Sequence, residues 1–144
     1  MDKTDEKIIS LLKTNARTSN AEIARQIGIV PSAVLERIRK LEEKGIIKQY
    51  TAVINPEKTG KSVLAYLQIT TNEKPGEECS ADCLSKLPEV HELHHVAGEY
   101  CYLLKVRTED NQALSKFLKD KIAMLTSVTN IKTTIVLETV KEGL

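Results

Sequence analysis

Apolar residues recur three and four positions apart through the first ~45 residues and two apart beyond position 62, so the chain passes from helices to strands. Ile8, Leu11 and Leu12 lie on one stripe of a helix predicted over Asp5 to Leu12 and fading near Asn15. Asp2, Thr4 and Asp5 supply its start signals and first-turn acidity. Ser19-Asn20-Ala21-Glu22 reads as a capping box, in which the Ser hydroxyl takes a backbone N–H and Glu22 reaches back. Ile23, Ala24 and Ile27 are the buried stripe of this second helix, and Gly28 ends it. Pro31 opens a third helix with Val34, Ile38 and Leu41 inward, closed by Lys44-Gly45 and an apolar Ile46-Ile47 tuck. About three residues separate the second and third helices, which is helix-turn-helix spacing.

Gln49 to Ile54 is β-prone and predicts a strand, followed by a turn-rich hinge over Asn55 to Gly60. Val63, Ala65, Leu67 and Ile69 alternate as a half-buried strand. Glu77 to Leu87 predicts a helix stopped by Pro88, and Val90 to Val96 a strand. Ala97-Gly98-Glu99 reads as a tight turn before a strand over Tyr100 to Val106. Asp110 caps a helix from Asn111 to about Met124, with Leu114, Leu118 and Ile122 on one face and Phe117 beside it. Val128 to Val140 reads as a last strand. The order βαββαβ is the ferredoxin-like pattern. The chain is therefore predicted to be α+β: a helix-turn-helix over residues 1–50, a strand and linker over 51–61, and a ferredoxin-like domain over 62–144. One sheet face should be free of helices. An apolar open face implies a partner, and Leu64, Tyr66, Leu103 and Val136 interleave with the core positions as candidates for it.

Composition sharpens this picture. With 3% aromatic residues and Phe117 the sole Phe, both cores must be aliphatic. The net charge of +1 hides an asymmetry: residues 1–58 hold 11 Lys/Arg against 8 Asp/Glu, and residues 59–144 hold 10 against 12. A basic N-terminal part favours a nucleic-acid partner there. Three cysteines, an odd number, argue against a disulfide framework and for a reducing cytoplasm. No apolar run reaches the ~18 residues of a membrane span.

Opposite the buried stripe of the third helix stand Ser32, Ala33, Glu36, Arg39, Lys40 and Glu43, flanked by Arg37. Small residues at the start of such a helix permit approach to base edges, and its cations suit guanines and phosphates. Double-stranded DNA is the partner this face predicts, with Ser32, Ala33, Glu36, Arg37, Arg39 and Lys40 as contacts and Arg17 as a phosphate contact. Truncating Arg37 should then flatten the salt dependence of binding by about one unit.

The chain resembles the Lrp/AsnC family of feast/famine regulators along essentially its whole length. The matching stretches include Asn15-Ala16-Arg17-Thr18-Ser19, the run from Ser32 to Ile47, Val96-Ala97-Gly98-Glu99-Tyr100, Tyr102-Leu103-Leu104 and Thr133-Thr134-Ile135-Val136-Leu137. The resemblance implies a winged helix-turn-helix, a hinge strand and a ferredoxin-like dimerisation and effector domain, with dimers through the sensor sheets, further assembly into octamers, and an amino-acid effector near the turn at Gly98; no resident cofactor is expected. Gly98, Glu99, Tyr100, Cys101, Met124, Thr133 and Thr134 are the effector-binding candidates it implies. Two positions depart from the family. Val30 stands where a capping Ser is usual, and Cys101 where many members have Asp, so the effector's identity stays open.

Other chemistry is poorly supported. His91, His94, His95, Cys79 and Cys83 show no standard zinc spacing, and neighbouring histidines on a strand point to opposite faces. No catalytic motif is present, so an enzyme is not expected. The function expected is a sequence-specific, effector-modulated transcriptional regulator. The alternatives are an architectural protein that wraps DNA and a metabolite-binding module without DNA binding.

Overall fold

A computed structural model describes residues 1–74, 76–77 and 79–142. They form two compact units, Met1–Val53 and Ile54–Glu142. Among the described residues no helix is long and apolar enough to cross a membrane.

The first unit holds α1 (Lys3–Thr14), α2 (Asn20–Ile27) and α3 (Pro31–Glu43). Ile8, Ile23, Ala24, Val34 and Leu41 form its buried centre, one contribution or more from each predicted stripe. Half-buried Leu11, Leu12, Ile27, Ile38 and Ile47 pack around them. The full capping box is on α1: the Asp2 carboxylate accepts from the Thr4 and Asp5 N–H groups, and Asp5 accepts from Asp2 N–H. At α2 only half of the expected box forms. Ser19 Oγ accepts from Glu22 N–H, but the Glu22 carboxylate turns to Arg25 and Gln26, whose longer side chains reach it first. The strand predicted over Gln49 to Ile54 is absent: none of these residues is in a strand. β-propensity alone cannot hold an isolated strand, since its N–H and C=O groups need a neighbour.

The second unit is a four-stranded antiparallel sheet of β1 (Val63–Thr71), β2 (Val90–His95), β3 (Tyr102–Thr108) and β4 (Val128–Ile135), in the order β2-β3-β1-β4. Helices α4 (Cys79–Ser85) and α5 (Asn111–Phe117) make the two crossovers. This is the predicted βαββαβ arrangement. Ala65, Leu67, Ile69, Tyr102, Leu104 and Val106 meet Leu84, Leu114, Phe117 and Ile122 in one core.

Four element bounds differ from expectation for identifiable reasons. α4 starts at Cys79, where the Glu73 carboxylate accepts from the backbone N–H and hydroxyl of Ser80; Glu78 lies outside the described residues. β3 starts two residues late because Tyr100 and Cys101 belong to the turn, closed by Val96 N–H donating to Cys101 O at 3.0 Å. α5 widens into a π-turn over Leu118–Ile122, which brings Phe117 and Ile122 to the same buried side while Leu118 is only half-buried. β4 ends at Ile135, and Leu137 and Val140 stand 99% and 90% exposed beyond it.

The helix-free face is not the apolar surface that the sequence suggests. Register places Leu64 beside Arg107, Tyr66 beside Lys105 and Thr134, and Leu103 beside Gln68 and His94. Leu64 is itself buried. Glu142, from the C-terminal stretch, accepts from Lys105 and pairs with Arg107 on this face. Charges thus interleave with the apolar positions.

Candidate DNA interface and effector turn

The turn between α2 and α3 is set by Gly28, whose φ of +84° is the left-handed conformation that favours glycine. Its N–H donates to Ala24 O at 2.8 Å, which closes α2. Val30 then opens α3 without any side-chain cap, as its missing acceptor dictates, and Pro31 occupies the first helical position.

With Val34 and Leu41 buried, α3 turns Ser32, Leu35, Glu36, Arg39, Lys40 and Glu43 to the exposed side, and Ala33 is half-buried. Lys40 donates to Glu36 at 2.7 Å and Arg39 to Glu43 at 2.9 Å. These are exposed i,i+4 pairs of small energetic value, easily exchanged for phosphate oxygens. The Glu36 carboxyl is held below its ordinary value, first by the Lys40 hydrogen bond. Arg17 is exposed in the loop before α2.

Arg37 is different. Its Nη1 donates to both Asp2 and Asp5 of α1, each at 2.7 Å. The sequence assigns this residue to DNA; its Nη1 is engaged by these two carboxylates, and its side chain is about one-third exposed. Two carboxylates at the start of α1 hold the guanidinium nitrogen that periodicity places at the flank of the exposed face. Sequence reasoning also passed over Leu35. It is 58% exposed, one turn from Ser32 and beside Glu36 and Arg39. Its signal was available, because it falls outside the stripe of Val34, Ile38 and Leu41.

In the second unit the β2–β3 turn exposes Ala97, Gly98 and Glu99. Gly98 adopts φ +136°, again a glycine conformation. Tyr100 is half-buried, with the Lys132 ammonium 5.9 Å from its ring centre. The Cys101 thiol faces Thr71 O at 3.9 Å. Among the other effector candidates, Met124 is 72% exposed. Thr133 pairs with Leu67 and Thr134 with Tyr66, so the two threonines lie on opposite sheet faces and one ligand on one face meets only one of them. The histidines separate likewise: His94 accompanies Glu92, and His95 lies against Tyr102 with ring centres 5.2 Å apart.

Residues 1–48 match the model for winged helix-turn-helix DNA-binding, and residues 64–144 match that of the Lrp/AsnC ligand binding domain. The leucine-responsive regulatory protein of Escherichia coli K12 is 36% identical over 99% of this chain and 88% of its own length. The chain belongs to the Lrp/AsnC family of transcriptional regulators. Solved structures agree. Escherichia coli AsnC superposes with a TM-score of 0.94 at 28% identity, covering 100% of this chain and 97% of its own. A Neisseria meningitidis transcriptional regulator in complex with L-Met gives 0.94 at 32% identity, over 99% and 94%. The Mycobacterium tuberculosis feast or famine regulatory protein complexed with L-methionine gives 0.90 at 31% identity, over 98% and 95%. The three-helix unit is thus a DNA-binding domain, and the sheet unit a ligand-binding domain of a regulator.

Proposed function

We propose that this family member reads DNA with the outer side of α3 and is modulated by an amino acid bound at the Gly98 turn. The observation that carries the DNA reading is the joint exposure of Ser32, Leu35, Glu36 and Arg39 opposite buried Val34 and Leu41. Ser32 and Ala33 allow close approach at the N-terminal half of the helix, where base edges are met. Leu35 is placed to contact a thymine methyl group, and Glu36 to accept from a cytosine amino group once Lys40 turns to a phosphate. Arg39, Lys40 and Arg17 supply phosphate contacts, and Arg37 holds α3 against α1 rather than touching DNA. Specific reading requires a pair of helices about 34 Å apart, so the acting form is at least a homodimer. Four dimers give the octamer that the resemblance implies, and the cytoplasm is the compartment in which free thiols and DNA occur together.

For the effector, Gly98 permits close backbone approach, so turn N–H groups can receive a ligand carboxylate while exposed Glu99 meets an ammonium. The L-Met complexes of two relatives support an amino acid as the ligand class. Cys101 supplies no second charge. Tyr100, Met124 and one of Thr133 and Thr134 complete the candidate set. Titrating an operator-containing duplex with the full chain, with and without L-methionine, tests both parts: salt-dependent binding that the amino acid shifts supports them, and salt-independent binding overturns the DNA part.

A further inference from the structure

Helix α4 carries Cys79 and Cys83, one helical turn apart and both exposed. Neither is in a disulfide, and neither thiol makes a hydrogen bond among the described residues. The rotation of α4 is fixed by the residue that follows each of them. Ser80, 1% exposed, donates from its N–H and its hydroxyl to the Glu73 carboxylate and meets Ser127 Oγ at 2.6 Å. Leu84, fully buried, lies in the sheet core. With Ser80 and Leu84 turned inward, the two cysteines are held side by side on the adjoining stripe, and exposed Lys86 continues that stripe one turn on.

The spacing decides what this pair can do. Cβ atoms four residues apart on a helix are about 5–6 Å from each other. A disulfide needs about 3.5–4.5 Å, so closing one would unwind a helix that Ser80 and Leu84 pin. A metal ion between the sulfurs is a different case. Two metal–thiolate bonds of about 2.3 Å span ~4.6 Å when in line, which such a pair reaches by choice of rotamer. Zinc wants four ligands, and among the described residues no group of three or more His, Cys, Asp or Glu comes together to hold a metal. Monovalent copper suits soft thiolates. The charges agree. Cu(I) on two thiolates keeps one net negative charge, which Lys86 on the same stripe offsets. Exposed Glu77 and Asp82 draw a cation in, but their hard oxygens are poor ligands for copper. We propose that Cys79 and Cys83 form a binding site for one Cu(I) ion. Each thiol gives up its proton as its sulfur binds, so each ion releases two protons to solvent and no electron is transferred.

Anaerobic titration of the reduced full chain with Cu(I) tests this, the ion being supplied as a coloured chelate that fades as the protein takes it. The wild type should remove one ion per chain and release two protons with it. Cys79→Ser and Cys83→Ser should each weaken uptake by about a hundredfold or more, and Cys101→Ser should leave it unchanged. Both α4 cysteines are exposed, so serine in their place leaves the core untouched. Excess Zn2+ should not displace the copper. Wild-type uptake by either α4 variant overturns the proposal. So does an equal loss in Cys101→Ser, one ion shared between two chains, displacement by Zn2+, or no uptake at all.

Discussion

Arg37 on α3 and Asp5 on α1 are joined at 2.7 Å, and the same guanidinium nitrogen also holds Asp2, the N-cap of α1. One cation thus ties the first turn of one helix to the middle of another. On the function proposed above, this tie fixes the angle of the helix that meets DNA. Arg37→Ala should lower the melting temperature of the protein, yet leave the slope of log K against log salt within about half a unit of wild type, because no phosphate contact is removed. Fluorescence anisotropy at several salt concentrations, together with a thermal melt, separates the two effects. A slope lower by a full unit would return Arg37 to the DNA contacts.

The same clasp predicts an acid response. The Asp5 carboxyl is held below its ordinary value first by Arg37, and that of Asp2 first by the Asp5 N–H and then by Arg37. A carboxylate whose folded-state pKa is depressed adds stability above its unfolded-state value and loses it as pH falls through the folded-state value. The melting temperature should therefore lose this contribution only below about pH 4. Arg37→Gln should show a shallower decline there. An identical decline in both proteins would mean that the clasp does not carry the acid response.

Two substitutions test the helix-turn-helix turn. Val30 is 62% exposed at an N-cap without a side-chain acceptor, so Val30→Ser adds a bond to the α3 N-terminus and sacrifices little packing. It should stabilise by about 1 kcal/mol. Gly28→Ala meets no neighbour within 4 Å, so its whole effect is the left-handed backbone, a loss of roughly 1–2 kcal/mol. Denaturant midpoints measure both, and a destabilised Val30→Ser would show that Val30 is packed on something.

Much of this was legible in the sequence. Ile8, Ile23, Val34 and Leu41 declared the first core by helical spacing, and Ala65, Leu67 and Ile69 the second by alternation. Caps at Ser19 and Asp110 set helix starts that the structure keeps. What escaped depends on long-range partners. The pairing of Arg37 with Asp2 and Asp5 spans more than thirty residues, so no local pattern records it. The segment Gln49 to Ile54 has strand composition but no neighbouring strand. The charges on the open sheet face were visible, but Glu142 reaches them only after the chain folds back.

Leu35 offers a test of specificity apart from affinity. Leu35 is a large aliphatic group, 58% exposed, on the side of α3 proposed to meet DNA. Leu35→Ala should reduce discrimination for a T·A pair at one position of each half-site by about 1–2 kcal/mol, with the salt slope unchanged. Binding to a library of duplexes substituted at each position reads this out. Undiminished preference at every position would place Leu35 outside the groove.

The most direct measurement is hydroxyl-radical footprinting of a duplex selected by the full chain, repeated with the Arg39→Gln/Lys40→Gln double variant. Wild type should protect patches about one helical turn apart on one face of the duplex. The double variant should need far more protein for the same protection, with a salt slope lower by roughly two units. Protection by the double variant at wild-type concentration and with the wild-type slope would contradict the placement of α3 on DNA.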